Sequence, residues 1–166
     1  MTDDRSSGVA PTTVEGSVFD GKTAWLVNPC NQQPTLFWGS HVSEHIFRHA
    51  GYVVKQERLR AGHLALGAAC ITAGGSLHHH HIIHVAVLNA WSLDIRYLFG
   101  MRKRIGKDVL QTTFDSLLTI AQDHRIDMMD IPAFWLGKNG WEWDQFLETF
   151  GAHPFWDRAI IHRLPT

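Results

Sequence analysis

The sequence predicts a three-layer α/β/α domain with a mixed central sheet. Two observations carry this prediction: apolar segments of strand length alternate with longer segments of helical periodicity, and the segments between them are rich in glycine, proline and asparagine. A chain that alternates strands with helices covers a central sheet with those helices. The 166 residues fit a single domain. We expect a flexible, polar N-terminal tail over residues 1–13 and a folded domain over residues 14–166.

Five apolar segments have the length of strands. Two of them, residues 67–73 and 80–87, are separated by a segment containing Gly-Gly-Ser, a connection that need not be a tight hairpin. Pro132 ends another segment. The predicted strands cover residues 23–28, 67–73, 80–87, 127–133 and 158–163.

Three segments show helical periodicity. Between residues 39 and 50 apolar side chains recur every four positions, and Gly51 follows as a stop signal. Residues 107–124 carry the clearest pattern, because their apolar side chains fall on one stripe of a helix. A third helix follows Trp141. The apolar positions are Val42, Ile46 and Ala50 in the first helix, Leu110, Phe114, Leu117, Leu118 and Ala121 in the second, and Phe146, Leu147 and Phe150 in the third.

Composition and charge exclude several classes of protein. The formal net charge of −1 gives no bulk attraction to nucleic acid or to a membrane surface. No segment approaches the roughly 20 apolar residues of a membrane span, and the N-terminus lacks the apolar core of a signal peptide. Cys30 and Cys70 form neither a CxxC pair nor the framework of a secreted, disulfide-rich domain. We therefore expect a cytoplasmic protein without membrane contact.

Twelve histidines raise the question of a metal site. The run His78–His81 enters a predicted strand, where successive side chains point to opposite faces and cannot all bind one ion. His41, His45 and His49 lie along one helix face, but the stretch H-V-S-E-H lacks the glutamate of an HExxH site. We expect no stoichiometric catalytic metal and no cofactor. Adventitious metal binding by part of the histidine run is the alternative.

Two loops that contain glycine follow predicted strands. In α/β folds ligands bind beyond the carboxyl ends of the strands, often against helix N-termini. Residues 29–40 and 134–141 have this position, and backbone N–H groups at their glycines can face an anion. The chain contains neither a GxGxxG nor a GxxxxGK[ST] pattern, which disfavours the nucleotide sites built on those two motifs.

The order of the motifs resembles that of macro domains, the ADP-ribose-binding modules. Val27–Asn31 reads V-N-P-C-N where those domains carry V-N-A-A-N, and Val42–Gly51 corresponds to V-D-G-A-I-H-R-A-A-G. Gly67–Leu77 corresponds to G-E-A-V-I-T-x-G-x-x-L, and Ile82–Val85 to a strand ending in V-I-H. Ile131–Trp141 corresponds to F-P-A-I-S-T-G-x-Y-G-Y. The resemblance runs from about residue 14 to the end and implies a macro-like fold for this whole segment.

This resemblance implies a cleft for ADP-ribose or for an ADP-ribosylated molecule. Asn31 would hydrogen-bond the distal ribose, while Val18 and a loop aromatic would contact adenine. Backbone N–H groups at the start of the first helix would bind one phosphate, and the second loop would hold the other. The implied ligand-binding residues are Val18, Asn31, Gly39, Ser40, His41, Val42, Ser43, Gly137, Lys138, Asn139, Gly140 and Trp141.

Several positions depart from the macro pattern. Ser43 stands where many members that remove ADP-ribose carry an aspartate, and Ser17 stands where the family has an adenine-contacting aspartate. Trp38 and Trp135 add bulk to the two loops, where backbone would approach a diphosphate. These rings either close over the ligand or fill the cleft.

Three functions are consistent with these residues. The first is ADP-ribose binding, which requires no catalysis. The second is hydrolysis of ADP-ribosyl esters or of ADP-ribose phosphate, in which His41 or His45 would activate water, or Cys30 would act as a nucleophile. The third is a macro-like interaction module that has lost nucleotide binding. In that case the basic segment Arg96–Lys107 would contact a polyanion such as poly(ADP-ribose) or RNA, unless it is only a solvated face.

Overall fold

The computed structural model describes residues 10–36, 40–88, 105–136 and 140–165. Six strands form one sheet in the order β1-β6-β5-β2-β4-β3. All neighbouring strands run parallel except β3 and β4, which are antiparallel, so the sheet is mixed as predicted. The strands are β1 (Thr12–Glu15), β2 (Trp25–Asn31), β3 (Ala69–Ala73), β4 (His81–Leu88), β5 (Met129–Pro132) and β6 (Ala159–Arg163).

Helices cover both faces of the sheet, which confirms the three-layer α/β/α prediction. The helices α1 and α2 pack on one face, and α3 and α4 on the other. No helix within the described ranges has the length and hydropathy needed to cross a membrane. The helices are α1 (His41–His49), α2 (Tyr52–Ala61), α3 (Lys107–Asp123) and α4 (Trp143–Phe150), with short 3₁₀ helices at Val18–Asp20 and Pro154–Arg158.

The core is divided by the sheet. On the α3 and α4 side, Phe114 is fully buried at the centre of an aromatic cluster that includes Trp135, Phe146 and Trp156. The smaller cluster on the other side combines residues of β2 and β4 with the inner faces of α1 and α2. Its buried members are Val18, Leu26, Ile46, Phe47, Ala50, Val54 and Ile82. Each cluster therefore fixes one pair of helices against the sheet.

All five predicted strands are present with shifted ends, but two elements were missed. The strand β1 begins at Thr12, two residues before the predicted start of the domain, and its four residues are all exposed. The helix α2 was missed because its apolar residues Val53, Val54 and Leu59 do not form one stripe, and only Val54 among them is buried. A helix without a periodic apolar face gives no signal at the level of sequence.

The prediction that the whole histidine run enters a strand was wrong. The strand β4 begins at His81, and residues 77–80 form bends before it. His78 lies 2.7 Å from the Gly21 carbonyl, His79 is buried against the Asp130 carboxylate, and His81 stacks on Trp25. His78, His79 and His81 therefore contact different partners, and the rings of His78 and His79 also contact each other. Among the residues that the structure describes, no group of three or more His, Cys, Asp or Glu side chains is arranged to hold a metal ion.

Candidate functional site

The carboxyl ends of β2 and β5 mark the point where the sheet changes direction. After β2 the chain passes to α1 and builds β3 and β4 on one side of β2; after α3 it enters β5 on the other side. The helices α1 and α4 lie on opposite faces of the sheet. In α/β sheets, ligands bind beyond the carboxyl ends of neighbouring strands whose connections pass to opposite faces. Both loops identified in the sequence, residues 29–40 and 134–141, border this point.

The two strands pair at Leu26 and Asp130, close to their amino ends. Toward the carboxyl ends β2 continues through Pro29, which has no N–H to donate, and β5 ends at Pro132. The pairing of these neighbours therefore stops before the strands end. The carboxyl ends of β2 and β5 are therefore not joined by strand pairing.

The first turn of α1 presents free N–H groups beside the loop that follows β2. Ser40 precedes the helix with extended backbone, and its hydroxyl accepts a 3.4 Å hydrogen bond from the Ser43 N–H. Within the described residues, the N–H groups of His41 and Val42 have no hydrogen-bond partner. Free N–H groups at the positive end of a helix dipole favour a phosphate or carboxylate. Ser40 therefore caps α1, and phosphate binding by Ser40, His41 and Val42 stays a prediction.

Asn31 is the last residue of β2 and is 6% exposed. The pairing with β4 shifts at this residue, since Cys30 lies opposite Ala86 and Asn31 opposite Leu88. Such a bulge re-aims the side chain at the end of a strand. The Asn31 Oδ1 accepts a 3.1 Å hydrogen bond from the Gln33 N–H. The Asn31 Nδ2 has no partner in the described part of the chain and is available as a donor.

The loop after β5 is anchored in the core by two tryptophans. Trp135 is fully buried and stacks on Phe146 with 4.6 Å between ring centroids. Trp141 is 4% exposed, and its indole N–H donates a 2.8 Å hydrogen bond to the Ile105 carbonyl. Leu136 and Trp141 form a bridge that closes the loop, and Gly140 has a φ of +88°, a conformation that favours glycine. Trp135 thus fills the core, and Trp141 can offer a ligand its backbone but not its ring.

Val18 is 4% exposed in the 3₁₀ helix and packs in the cluster beneath α1. Ser17, at the position of the family's aspartate, caps this turn by accepting a hydrogen bond from the Phe19 N–H. Ser43 is buried, and its hydroxyl has no partner among the described residues. Several predicted site residues lie outside the described ranges: Gly39, Gly137, Lys138 and Asn139, together with Trp38 and the segment from Arg96 to Arg104.

The side chains nominated for catalysis have contrasting surroundings. Burial raises the pKa of the Cys30 thiol to about 12, although the nearby Arg58 guanidinium opposes this change. His41 and His45 are exposed, and the His45 ring contacts both Phe19 and His49. Partial burial, followed by the charges of His49 and Arg48, lowers the pKa of His45. Cys30 therefore lacks the properties of a nucleophile, since the thiolate is the reactive form.

We expect Cys30 to resist alkylation by iodoacetamide in the folded protein. With a pKa of about 12, about one Cys30 side chain in ten thousand is a thiolate at pH 8. Mass spectrometry after peptide digestion should show Cys30 modified only once denaturant is added, with unfolded protein as the reactive control. Rapid modification of Cys30 under native conditions would restore it as a candidate nucleophile.

Arg58 is a residue that sequence reasoning missed. It lies in α2, is 1% exposed, and its guanidinium donates to the carbonyls of Asn31 (3.1 Å) and Gln32 (3.2 Å). The segment around Arg58 has no periodic apolar face, so the sequence does not indicate that this arginine is buried. Its contact with the end of β2 places it directly behind the candidate cleft.

Comparison with known proteins identifies the same architecture. The Macro domain family matches residues 27–150. The macrodomain of Thermus aquaticus DarG is 18% identical with a TM-score of 0.68, covering 93% of this chain and 97% of that one. An Oceanobacillus iheyensis macrodomain with ADP is 18% identical with a TM-score of 0.67, covering 93% and 82%. The macro domain of ganglioside induced differentiation associated protein 2 is 20% identical with a TM-score of 0.65, covering 98% and 84%.

A comparison with curated proteins gives no match. At these identities the solved structures establish the fold, and the family match extends over most of the chain. This chain is therefore a member of the macro domain family.

Proposed function

We propose that this macro domain binds ADP-ribose, either free or attached to another molecule, in the crevice between the loops that follow β2 and β5. Members of the family bind ADP-ribose, and related structures contain ADP or ADPR. The proposal rests on two sets of donors near the end of β2: the N–H groups of His41 and Val42 at the start of α1, and the Asn31 Nδ2, none of which has a partner among the described residues. Asn31 ends β2, and α1 is the next helix along the chain.

Each part of the ligand has a chemically suitable partner. A phosphate at the start of α1 would accept from the N–H groups of His41 and Val42, with Gly39 and Ser40 completing the turn. The segment Gly137–Gly140 would hold the other phosphate across the crevice. The Asn31 Nδ2 would donate to a hydroxyl of the distal ribose. Val18 would contribute an apolar contact to adenine from beneath α1.

The position of Trp135 bears on whether the crevice is filled, whereas Trp38, the other tryptophan considered for that role, lies outside the described residues. Because both rings are packed in the core on the α3 and α4 side, neither occupies the crevice. The loop that they anchor contains Gly140, whose φ is positive. Because glycine has no side chain, a phosphate can approach the backbone closely at this position. As far as Trp135 is concerned, this arrangement favours the binding module over the interaction module that has lost nucleotide binding. Contact between the segment Arg96–Lys107 and a polyanion stays a prediction, as does a cytoplasmic location.

The described residues give no positive support for the hydrolase alternative. Cys30 is protonated near neutral pH, and Ser43 cannot act as the carboxylate that it replaces in the family pattern. His41 and His45 remain the residues to test for that activity. A hydrolase assay on ADP-ribosylated protein, with both histidines changed to alanine as the comparison, addresses it directly.

Asn31→Ala should weaken ADP-ribose binding at least tenfold and leave ADP binding within about twofold. The change removes the amide that donates to the distal ribose, and a tenfold loss corresponds to about 1.4 kcal/mol. Isothermal titration calorimetry with ADP-ribose, ADP and AMP measures both effects. The wild-type protein should prefer ADP-ribose to AMP, because only the longer ligand spans both loops.

Gln111→Ala provides the control for this experiment, since Gln111 is exposed on α3 and its side-chain amide donates to the exposed Asp115. It should change none of the three affinities. A wild-type protein that binds none of the ligands at millimolar concentration contradicts the proposal. Equal losses for ADP-ribose and ADP in the Asn31 variant would show that Asn31 does not contact the distal ribose.

A further inference from the structure

Arg58 is a buried cation that lies behind the candidate cleft. Its side chain extends from α2 to the end of β2, where Nη2 is 3.1 Å from the Asn31 carbonyl and 3.2 Å from the Gln32 carbonyl. The other guanidinium nitrogen, Nη1, donates to the Gly62 carbonyl at 2.6 Å. In the described part of the chain no carboxylate pairs with Arg58.

Burying a guanidinium without a carboxylate is costly. Burial, and after it the charge of Arg58, lower the pKa of His84 to about 3, so this buried histidine stays neutral between Asn28 and Thr72. An apolar residue of similar length would fill the same space without these penalties. An apolar residue would, however, lack the three hydrogen bonds that Arg58 donates to backbone carbonyls.

Those carbonyls belong to a small network that joins the end of β2 to the segment after α2. The Gln32 carbonyl also accepts from the Leu64 N–H at 3.1 Å, and the Gln32 side-chain amide donates to the Leu64 carbonyl at 3.1 Å. The Gln32 N–H donates to the Leu88 carbonyl at the end of β4. Arg58 is the group in this network that contacts the backbone of Asn31 itself.

We infer that Arg58 is a positioning residue for the proposed ribose contact: its guanidinium fixes the backbone of Asn31 and Gln32 and thereby holds the Asn31 amide toward the distal ribose. This inference rests on the proposed function and deepens it. Arg58 does not touch the ligand. Its effect passes through Asn31, because the register with β4 shifts between Cys30 and Asn31 and the Asn31 carbonyl accepts a hydrogen bond from Arg58.

A double-mutant cycle tests the inference. Arg58→Met keeps the length and apolar stem of the side chain but removes all donors, and it should weaken ADP-ribose binding about tenfold while ADP binding changes less than twofold. In the protein that already carries Asn31→Ala, Arg58→Met should cause no further loss. A purely structural role would lower both affinities together, because ADP uses the same phosphate loops. Arg60→Met, an exposed arginine in the same helix, is the matched control and should leave both affinities unchanged.

A ligand-free measurement accompanies the cycle. Hydrogen exchange followed by NMR should show faster exchange at the N–H groups of Gln33 and Leu64 in Arg58→Met, since both depend on the geometry of the Asn31–Gln32 turn. If Arg58→Met does not fold, Arg58→Lys keeps the charge, loses the bidentate geometry and serves in the same cycle.

The outcomes separate the two claims. Coupled losses confined to ADP-ribose support the inference. Additive losses in the cycle, or equal losses for ADP-ribose and ADP, overturn it while leaving the binding function intact. A wild-type protein that binds neither ligand overturns the proposed function and this inference with it.

Discussion

Asp130→Asn is expected to lower the free energy of unfolding by about 3–5 kcal/mol, the range for removing one charged partner from a buried hydrogen-bonded pair. The carboxylate is buried, and Oδ1 accepts a 2.7 Å hydrogen bond from His162. Oδ2 accepts from His79 at 3.2 Å and from both the N–H and the hydroxyl of Thr23, at 2.9 and 2.8 Å. Asparagine keeps the shape but replaces one acceptor oxygen with a donor, so at least one buried donor loses its partner.

Asp115→Asn is the matched control. Asp115 also accepts from a histidine, His153 at 3.1 Å, but its side chain is 59% exposed. Water can replace the lost contacts at this exposed position, so the free energy of unfolding should change little. Chemical denaturation of both variants at pH 7 gives the comparison. A loss below about 1 kcal/mol for Asp130→Asn would show that the buried cluster does not stabilise the fold.

The same carboxylate predicts how stability depends on pH. Burial alone would raise the pKa of Asp130, but hydrogen bonds from His162, His79 and Thr23 outweigh it and hold the pKa well below its ordinary value of 3.8. A carboxyl group whose pKa is lowered by folding contributes stability above its unfolded pKa, and that stability is lost as the pH falls below it. The difference in the free energy of unfolding between the wild-type protein and Asp130→Asn should therefore decrease as the pH is lowered below about 4. A constant difference between the two proteins from pH 7 to pH 3 would contradict this assignment.

The sequence predicted the layers of the fold because hydrophobic periodicity reports burial directly. Leu110, Phe114 and Leu117 face the core because they recur at helical spacing on α3. The same reasoning could not find α2, whose packed residues are Val54 and the stem of Arg58. A helix held mainly by polar contacts has no apolar stripe to detect.

The roles of the site residues stay predictions, but local chemistry explains two features of the backbone around them. Ser40 caps α1 because serine accepts hydrogen bonds from first-turn N–H groups, and Asn31 ends a strand whose motif is visible in the sequence. The conformation of the histidine run was not predicted correctly, because it depends on contacts with residues that are distant in the sequence. His79 binds Asp130, 51 positions away, and His78 binds Gly21, 57 positions away. No spacing rule connects residues that only the folded sheet brings together.

Trp135→Ala is expected to lower the free energy of unfolding by about 3–5 kcal/mol, because it removes a large ring from the centre of a close-packed cluster. Trp135 is fully buried, stacks on Phe146, and meets Phe114 edge to face at a centroid distance of 5.6 Å. Denaturation followed by near-ultraviolet circular dichroism reports both the stability and the packing of these rings. Trp143→Ala, at a half-buried ring on α4, should cost less and serves as the control.

Trp135→Phe separates the packing of the ring from its polar group. The indole N–H of Trp135 is buried without a partner among the described residues, which is unfavourable in itself. Phenylalanine removes that N–H and keeps part of the ring, so the two effects oppose each other and the loss should not exceed about 1.5 kcal/mol. The alanine and phenylalanine variants should therefore differ by at least about 1.5 kcal/mol. Small and nearly equal losses of unfolding free energy in the two variants would mean that Trp135 leaves the core in solution. Its ring could then enter the crevice, and ADP-ribose would have to compete with the ring for this space.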